Sequence, residues 1–306
     1  MPTRLTKDTP AVDVVYTWVN GGDPDYRALY GRYAQTPDDS NPERYRDLYS
    51  MIKYSLRSLA LYAPWVRNIY FLTCRPQVPE WLDVGHPDVH VVHHDEIFDQ
   101  GCLPTFSSNV IESFLHRIPN RSDYLLYMND DFFFGRETGL DDFLDGEGRL
   151  LVMGTLMGER LKFRIYERKN DIVSFGRIEH APILIYKPFW ERMLESQPEK
   201  VAQTRGNRFR QDDDLRMDKL YRYYLLAEQA DSARAVGARQ LLRYHRFHKI
   251  TNRYGRQRRG LGRIEAMRPK FYCLNDDQRD QPNPEVVRLV REFLDRLYPE
   301  KSPYEK

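Results

Sequence analysis

The residues best placed to do chemistry lie in one stretch, Tyr124-Leu125-Leu126-Tyr127-Met128-Asn129-Asp130-Asp131-Phe132-Phe133-Phe134. A short, continuous apolar run predicts a strand buried on both faces. Asp130 and Asp131 then stand at its carboxyl end, the edge where open α/β sheets bind ligands. Two adjacent carboxylates among phenylalanines need a partner once they are desolvated. A divalent cation that favours oxygen ligands, Mg²⁺ or Mn²⁺, is the simplest one. The competing reading of this stretch alone is a turn with two solvated aspartates. Lys270-Phe271-Tyr272-Cys273-Leu274-Asn275-Asp276-Asp277 repeats the theme, an apolar run ending in Asn-Asp-Asp.

Other candidates sit where elements begin or end. Val12 to Val19 reads as a buried strand broken by Asn20-Gly21-Gly22-Asp23-Pro24. Its glycines let backbone N–H groups approach a phosphate, although Asn-Gly is also an ordinary turn. Ser107 and Ser108 open a helix expected over 110–117, where N-capping chemistry and anion binding coincide. On that helix Glu112 and His116, four residues apart, read as a surface pair. His180 precedes the apolar segment Ile183-Leu184-Ile185-Tyr186; it is a candidate base, set against the commoner satisfied core histidine. His86, His90, His93 and His94 lack a matching carboxylate spacing and read as surface or core residues rather than ligands. The stretch from Arg205 to Asp214 mixes three arginines with three aspartates ahead of a helix running to about Gln229, whose positive end suits the aspartates.

These residues need a scaffold. Strands are expected at 12–19, 68–73, 89–94 and 124–128, and helices at 44–62 and 110–117, with Pro64 ending the first helix. That alternation predicts a mainly parallel α/β sheet with nucleotide-type ligands at its carboxyl edge. Residues 135–149 read as a loop, 150–175 give no decided pattern, and 284–298 read as a closing amphipathic helix.

Composition narrows the class. The 306 residues suit one large α/β domain or two small ones. A net charge of +2 gives no global polyanion role and no nucleic-acid partner. Locally, however, Arg239 to Arg263 carries nine Lys or Arg and no acid, interleaved with Tyr244, Phe247 and Tyr254. Such a run suits a polyanion or an anionic membrane surface, against the plainer reading of a solvated face. Cys74, Cys102 and Cys273 show no CxxC spacing, which argues for reduced thiols and a cytoplasmic protein and against structural zinc. No signal-like start and no 18-residue apolar span occurs, so neither secretion by that route nor membrane spanning is expected.

Taken together, the chain resembles the Stealth proteins, bacterial capsular polysaccharide phosphotransferases related to the animal N-acetylglucosamine-1-phosphotransferase that tags lysosomal enzymes. Asp13-Val14-Val15-Tyr16-Thr17-Trp18-Val19-Asn20-Gly21 is similar to the first family block. The second is carried by Tyr54-Ser55-Leu56-Arg57-Ser58, Ala63-Pro64-Trp65-Val66-Arg67-Asn68-Ile69, Leu103 to Ser108, Ile111-Glu112, His116-Arg117-Ile118 and Asn129-Asp130-Asp131. His180-Ala181-Pro182 through Asp214 resembles the third, and Lys270 to Asp276 the fourth. One departure stands out: the family's acidic residues just before the Leu-Arg of the second block are missing, since the chain reads Asp47-Leu48-Tyr49-Ser50-Met51-Ile52-Lys53.

The resemblance implies a GT-A-like fold with a helical C-terminal part. It implies a single catalytic domain over 1–280, in which 12–134 bind the nucleotide sugar and 150–280 close over the acceptor, followed by a helix and tail at 281–306. It further implies transfer of a hexose 1-phosphate, N-acetylglucosamine 1-phosphate first, from a UDP-sugar to an acceptor hydroxyl, with release of UMP. The acceptor would be a polysaccharide or lipid-linked glycan, and the place of work the cytoplasm or the inner face of the cell membrane. Donor contacts fall to Asn20, Gly21, Asp23, Arg57, Ser107, Ser108 and Asn129. Ligation of Mg²⁺ or Mn²⁺ falls to Asp130, Asp131, Asn275 and Asp276. Arg210 would clamp the phosphate through its bidentate fork. His180 would be the general base, with Asp131 as second candidate. Two other readings compete: a metal-dependent glycosyltransferase that releases UDP, and a non-catalytic polyanion-binding module built on Arg239 to Arg263.

Overall fold

A computed structural model of the protein describes residues 10–34, 46–155, 177–178, 180–279 and 281–306. Two sheets share one joint. The first is built from β1 (Val12–Thr17), β2 (Ile69–Thr73), β3 (Val89–His93), β4 (Tyr124–Asn129) and β7 (Ile183–Tyr186), in the order β3-β2-β1-β4-β7. The first four run parallel and β7 is antiparallel. Thr17 stands in register with Asn129, so β1 and β4 end level at the carboxyl edge. The near-continuous apolar sequences of β1, β2 and β4 follow from burial on both faces. Asp13 is the exception. Fully buried, it accepts from the Arg67 guanidinium at 2.8 Å and the Asn68 N–H at 3.1 Å, so its charge is paired.

The second sheet orders β9 (His245–Ile250), β10 (Phe271–Asp276) and β5 (Phe132–Phe134). β9 and β10 are parallel, and β5 runs antiparallel to β10. Asp130 and Asp131 are therefore the two-residue joint between β4 of one sheet and β5 of the other. The joint is fastened by the Leu274 N–H, which donates to the Asp131 carbonyl at 3.0 Å.

Helices fix this arrangement from several sides. α1 (Pro24–Tyr33) is capped by Asp23, whose carboxylate accepts from Tyr26 N. α2 (Met51–Tyr62) approaches β5 closely because its contacting residues are serines: Ser55 donates to the Phe132 carbonyl, and Phe134 N donates to Ser58 Oγ at 3.0 Å. The three phenylalanines of β5 are buried, so truncating one to alanine costs about 3–5 kcal/mol. A short α3 (Ser108–Glu112) is followed by a single tight turn at Leu115–Arg117 rather than by the regular helix expected over 110–117. α4 (Lys187–Glu195), α5 (Pro198–Arg205) and α6 (Met217–Glu228) follow β7. α7 (Tyr254–Met267) lies against β9, where Gly260 is needed because a Cβ would meet the His248 ring at 2.1 Å. α8 (Pro284–Leu297) starts on an Asn283 cap and buries Val286, Val290, Phe293 and Leu294, one stripe at helical spacing. That stripe joins Leu261, Ile264, Tyr272 and Leu274 in a second hydrophobic core.

The mainly parallel α/β architecture is as expected from the sequence. The helix expected to open at Arg44 begins at Met51, and residues 156–176 lie outside the described part. The undecided stretch begins with a short strand, β6 (Leu150–Val152), which pairs in parallel with β8 (Ala233–Ala235).

Candidate active site

The carboxyl edge of the first sheet opens into a cavity of about 540 Å³. Its lining brings together the carboxylates Asp47, Asp130, Asp131 and Asp276 with Asn275, the cationic residues Arg210, Arg216, Lys219 and Arg222, and the aromatic rings of Trp18, Tyr26 and Phe106; His180 stands beside Asp131.

Asp131 is held from β10. The buried Cys273 thiol donates to its Oδ2 at 3.1 Å, and Asn275 Nδ2 donates to the same oxygen at 3.4 Å. Its Oδ1 is buried and has no hydrogen-bond partner among the described residues. His180 Nε2 lies 3.8 Å from that oxygen and 3.3 Å from Asn129 Nδ2. The imidazole is wedged by Phe132, with ring centroids 4.6 Å apart, and its backbone carbonyl accepts from His245 Nε2 at 2.8 Å. Burial lowers the His180 pKa and Asp131 opposes this only in part, so the ring is neutral near pH 7 and can accept a proton. Asp130 faces the open cavity, yet protein surrounds it, and that desolvation, followed by the charges of Asp131 and Asp47, raises its pKa. Burial raises the pKa of Asp47 as well, and carboxylates desolvated in this way suit a cation in their midst.

Three ligand-type atoms, from Asp131, His180 and Cys273, lie within 4.8 Å of one another. Burial pushes the Cys273 thiol well above its usual range, with Asp131 adding to the effect. Cys273 is accordingly a neutral donor to the carboxylate rather than a thiolate ligand, and the oxygen-rich set Asp130 and Asp131 fits a hard divalent ion better.

The cationic residues of the lining come from the loop after α5 and from α6. Of the three arginines at 205–210, only Arg210 reaches the cavity, where it donates to Ser108 Oγ. Arg205 stacks on Phe114 and donates to the Ser113 carbonyl at 2.8 Å, and Arg208 donates to the carbonyls of Leu103 and Pro104. Asp214, expected to favour a helix start, instead knits the loop: it accepts from Asn109, Asn207 and Gln211 N. Buried Arg222 donates to the Ala181 carbonyl at 2.7 Å, tying α6 to the residue after His180.

Several sequence expectations need correction. Arg57 does not reach the cavity: Glu305 takes its guanidinium in a 2.8 Å fork, and the Tyr298 carbonyl accepts at 3.0 Å. Asn20, Gly21 and Asp23 lie beside the cavity but do not form its wall, which is made here by Thr17, Trp18, Val19 and Tyr26. Asn20 spends its backbone on Gln77 and its side chain on Gly22 N, and Asp23 caps α1. Ser107 is buried behind Ser108, which does line the cavity. Asn275 and Asp276 line it too, but Asn275 serves Asp131 and Asp276 is bound by Arg46 at 3.1 Å, so both position rather than stand open as ligands. Glu112 and His116 are no surface pair. Glu112 is buried in the cavity wall, accepting from Tyr127 Oη at 3.1 Å and Asp218 N at 3.2 Å, and burial, then Asp218, raises its pKa. Part of the basic run adjoins the site, since its strand β9 supplies His245 behind His180 and Phe247 to the cavity.

Asp47 was missed. It precedes α2, accepts from Met51 N at 3.1 Å and lines the cavity near Asp130. The sequence signal was present, an acidic residue four positions ahead of the helix start.

Comparison with known proteins fits this placement. Models of the Stealth conserved regions match region 1 over residues 10–36, region 2 over 44–151 and region 4 over 262–306. An exopolysaccharide phosphotransferase of Streptomyces coelicolor is 34% identical over 321 residues, covering 96% of this chain and 51% of the relative. The exopolysaccharide phosphotransferase CpsY of Mycobacterium leprae is 32% identical, covering 96% and 57%, and the capsular polysaccharide phosphotransferase SacB of Neisseria meningitidis serogroup A is 30% identical, covering 96% and 57%. The chain thus spans about half the length of these curated relatives. Among solved structures, the galactosyltransferase LgtC with donor and acceptor sugar analogues aligns with a TM-score of 0.44 at 11% identity, over 92% of this chain and 95% of that one. Mouse xyloside xylosyltransferase 1 aligns with a TM-score of 0.41 at 13% identity, over 86% and 97%. The matched regions take in β1, the Asn129-Asp130-Asp131 joint and the β10 residues that hold it, and with these three regions in family order the chain belongs to the Stealth family.

Proposed function

We propose that the chain is the catalytic part of a sugar-1-phosphate transferase. It moves a hexose 1-phosphate, N-acetylglucosamine 1-phosphate first among the candidates, from a UDP-sugar to an acceptor hydroxyl. The product is a phosphodiester and the leaving group is UMP. The acceptor class is a polysaccharide or lipid-linked glycan, in keeping with the names of the relatives. The observation that carries the reading is one cavity whose lining gathers paired aspartates and a neutral histidine together with Arg210, Arg216 and Lys219.

The residues divide the work. The GT-A-like sheet edge receives the donor, with Trp18, Tyr26 and Phe106 offering aromatic surface to the uracil. Asp130 and Asp131 would hold Mg²⁺ or Mn²⁺, which neutralises diphosphate charge; the unpartnered, buried Asp131 Oδ1 fits that task. His180 Nε2 takes the proton of the acceptor hydroxyl. Arg210 presents two parallel donors to the transferring phosphoryl oxygens, where phosphoryl transfer needs charge stabilisation and positioning.

Incubation with a panel of UDP-sugars and a glycan acceptor, with the nucleotide product identified, tests the reading. UMP with a new phosphodiester signal in ³¹P NMR is the expected result. UDP without that signal would replace the reading by a glycosyltransferase.

A further inference from the structure

The second sheet turns a separate face to solvent. Alternation along β9 sends His245 and Phe247 to the active-site side and His248 to the opposite side, where it packs under α7 against Gly260 and bonds Gln257 at 2.7 Å. The far face of α7 therefore looks away from the cavity. It displays Arg253, Arg256, Arg258, Arg259 and Arg263, all exposed. The one acid of α7, Glu265, is bound by Arg296 at 3.1 Å. Large apolar side chains stand among these charges. Six such residues are exposed among the described ones; Tyr254 and Met267 stand at the two ends of α7, and Leu242 lies three residues ahead of β9. Arg246 reaches Met267 Sδ at 3.5 Å, which brings the end of α7 back beside the start of β9, the strand that Leu242 precedes by three residues.

We propose that this face is a docking surface for an anionic phospholipid membrane. Guanidinium groups are drawn to acidic headgroups, and exposed leucine, methionine and tyrosine side chains enter the interfacial zone. The exposed apolar side chains decide against a soluble polyanionic chain, which would use the arginines but has no use for Tyr254 and Met267 at the two ends of the charged helix. The direction of the face decides likewise, since a glycan held there lies behind the second sheet and not in the cavity. Among the described residues no helix is long and apolar enough to cross a membrane. Docked this way, the cavity stays open beside the bilayer. The inference does not rest on which bond the enzyme breaks.

The test is co-sedimentation of the chain with phosphatidylcholine vesicles, with or without phosphatidylglycerol, at low and high salt. Binding is expected only with phosphatidylglycerol and is lost at high salt. Arg256→Gln, Arg258→Gln, Arg259→Gln and Arg263→Gln combined should reduce it by about tenfold or more, and Leu242→Ser with Met267→Ser by several-fold. The melting temperature and turnover of a soluble acceptor should be unchanged. Absence of binding to phosphatidylglycerol vesicles would overturn the proposal. Full retention by the Leu242→Ser, Met267→Ser variant, together with tight binding of soluble polyphosphate, would assign the face to a polyanionic chain instead. A dimer that the arginine substitutions dissolve, without vesicle binding, would assign it to a second copy.

Discussion

Asp131 Oδ1 stands 3.8 Å from His180 Nε2, and although buried it meets no hydrogen-bond donor among the described residues. The other oxygen of the same carboxylate receives both the Cys273 thiol and the Asn275 amide. β10 thus fixes the rotation of Asp131 and leaves one oxygen facing the site. Asp131→Asn is expected to abolish turnover and Mn²⁺ binding, the latter read by water-proton relaxation, while the melting temperature holds. Cys273→Ala and Asn275→Ala each remove one orienting donor and should weaken metal affinity by about 10- to 100-fold. Unchanged Mn²⁺ binding in Asp131→Asn would place the cation elsewhere.

His180→Ala should lower kcat by about 10² to 10⁴ with little change in donor KM. The pH profile carries the sign. Burial lowers the pKa of His180, so the neutral form survives to more acidic pH than in a free imidazole. A base is active when unprotonated, and the acid limb of kcat should therefore fall below pH about 6.5, the ordinary histidine value. In the Ala variant that limb should vanish. A KM effect at unchanged kcat would make His180 a binding residue.

The legibility of the site in the sequence depends on range along the chain. The Asn129-Asp130-Asp131 joint was readable because a doubly buried strand announces itself in an apolar run, and the next residues must stand at its end. Arg210 was readable as a residue type in a charged loop, but that Arg205 and Arg208 turn away depends on Phe114 and on the carbonyls of Leu103 and Pro104, about a hundred positions distant. The Arg57 expectation failed for the same reason, since its partner Glu305 lies 248 residues on. Glu112 looked like a surface residue because helical spacing reports a face and not what covers it. Tyr127 and Asp218, from β4 and α6, cover it.

Arg57 provides a stability test. Its guanidinium and the Glu305 carboxylate are both buried, with side-chain exposures of 9% and 1%. Arg57→Ala leaves the Glu305 charge without its main partner and should cost about 3–5 kcal/mol, as breaking a buried pair does. Donor KM, measured at a temperature where the variant is folded, should not change. A raised KM with unchanged stability would restore Arg57 to the donor site.

His94 ties stability to acid. It is buried, stacks on Phe98 at 4.7 Å, and burial depresses its pKa to about 3. In the unfolded chain it titrates near 6.5, so below that value the unfolded state binds the extra proton, and stability is lost as pH falls. At pH 5 the loss from this residue is about 2 kcal/mol. His94→Phe keeps a stacked ring and removes the titration. Urea unfolding at pH 7 and pH 5 should therefore show a smaller difference for the variant, and an identical difference would mean that His94 does not titrate in this way.

Arg210 separates the two transferase chemistries. A phosphoryl group in transit carries negative charge on three equatorial oxygens and is stabilised by guanidinium donors. A glycosyl transition state is oxocarbenium-like and positive, so an arginine aimed at it would raise the barrier. Arg210 is exposed, is held by its bond to Ser108, and lines the same cavity as Asp130 and Asp131. Arg210→Lys keeps the charge but loses the planar fork, and kcat should fall by at least about tenfold, with Arg210→Ala lower still. Donor KM should rise much less, because the interaction is strongest in the transition state. The nucleotide released by the residual activity should still be UMP. If Arg210→Lys runs at the parent rate, the fork has no part in the reaction, and the charge stabilisation must come from other cationic residues of the same cavity, Arg216 and Lys219 first.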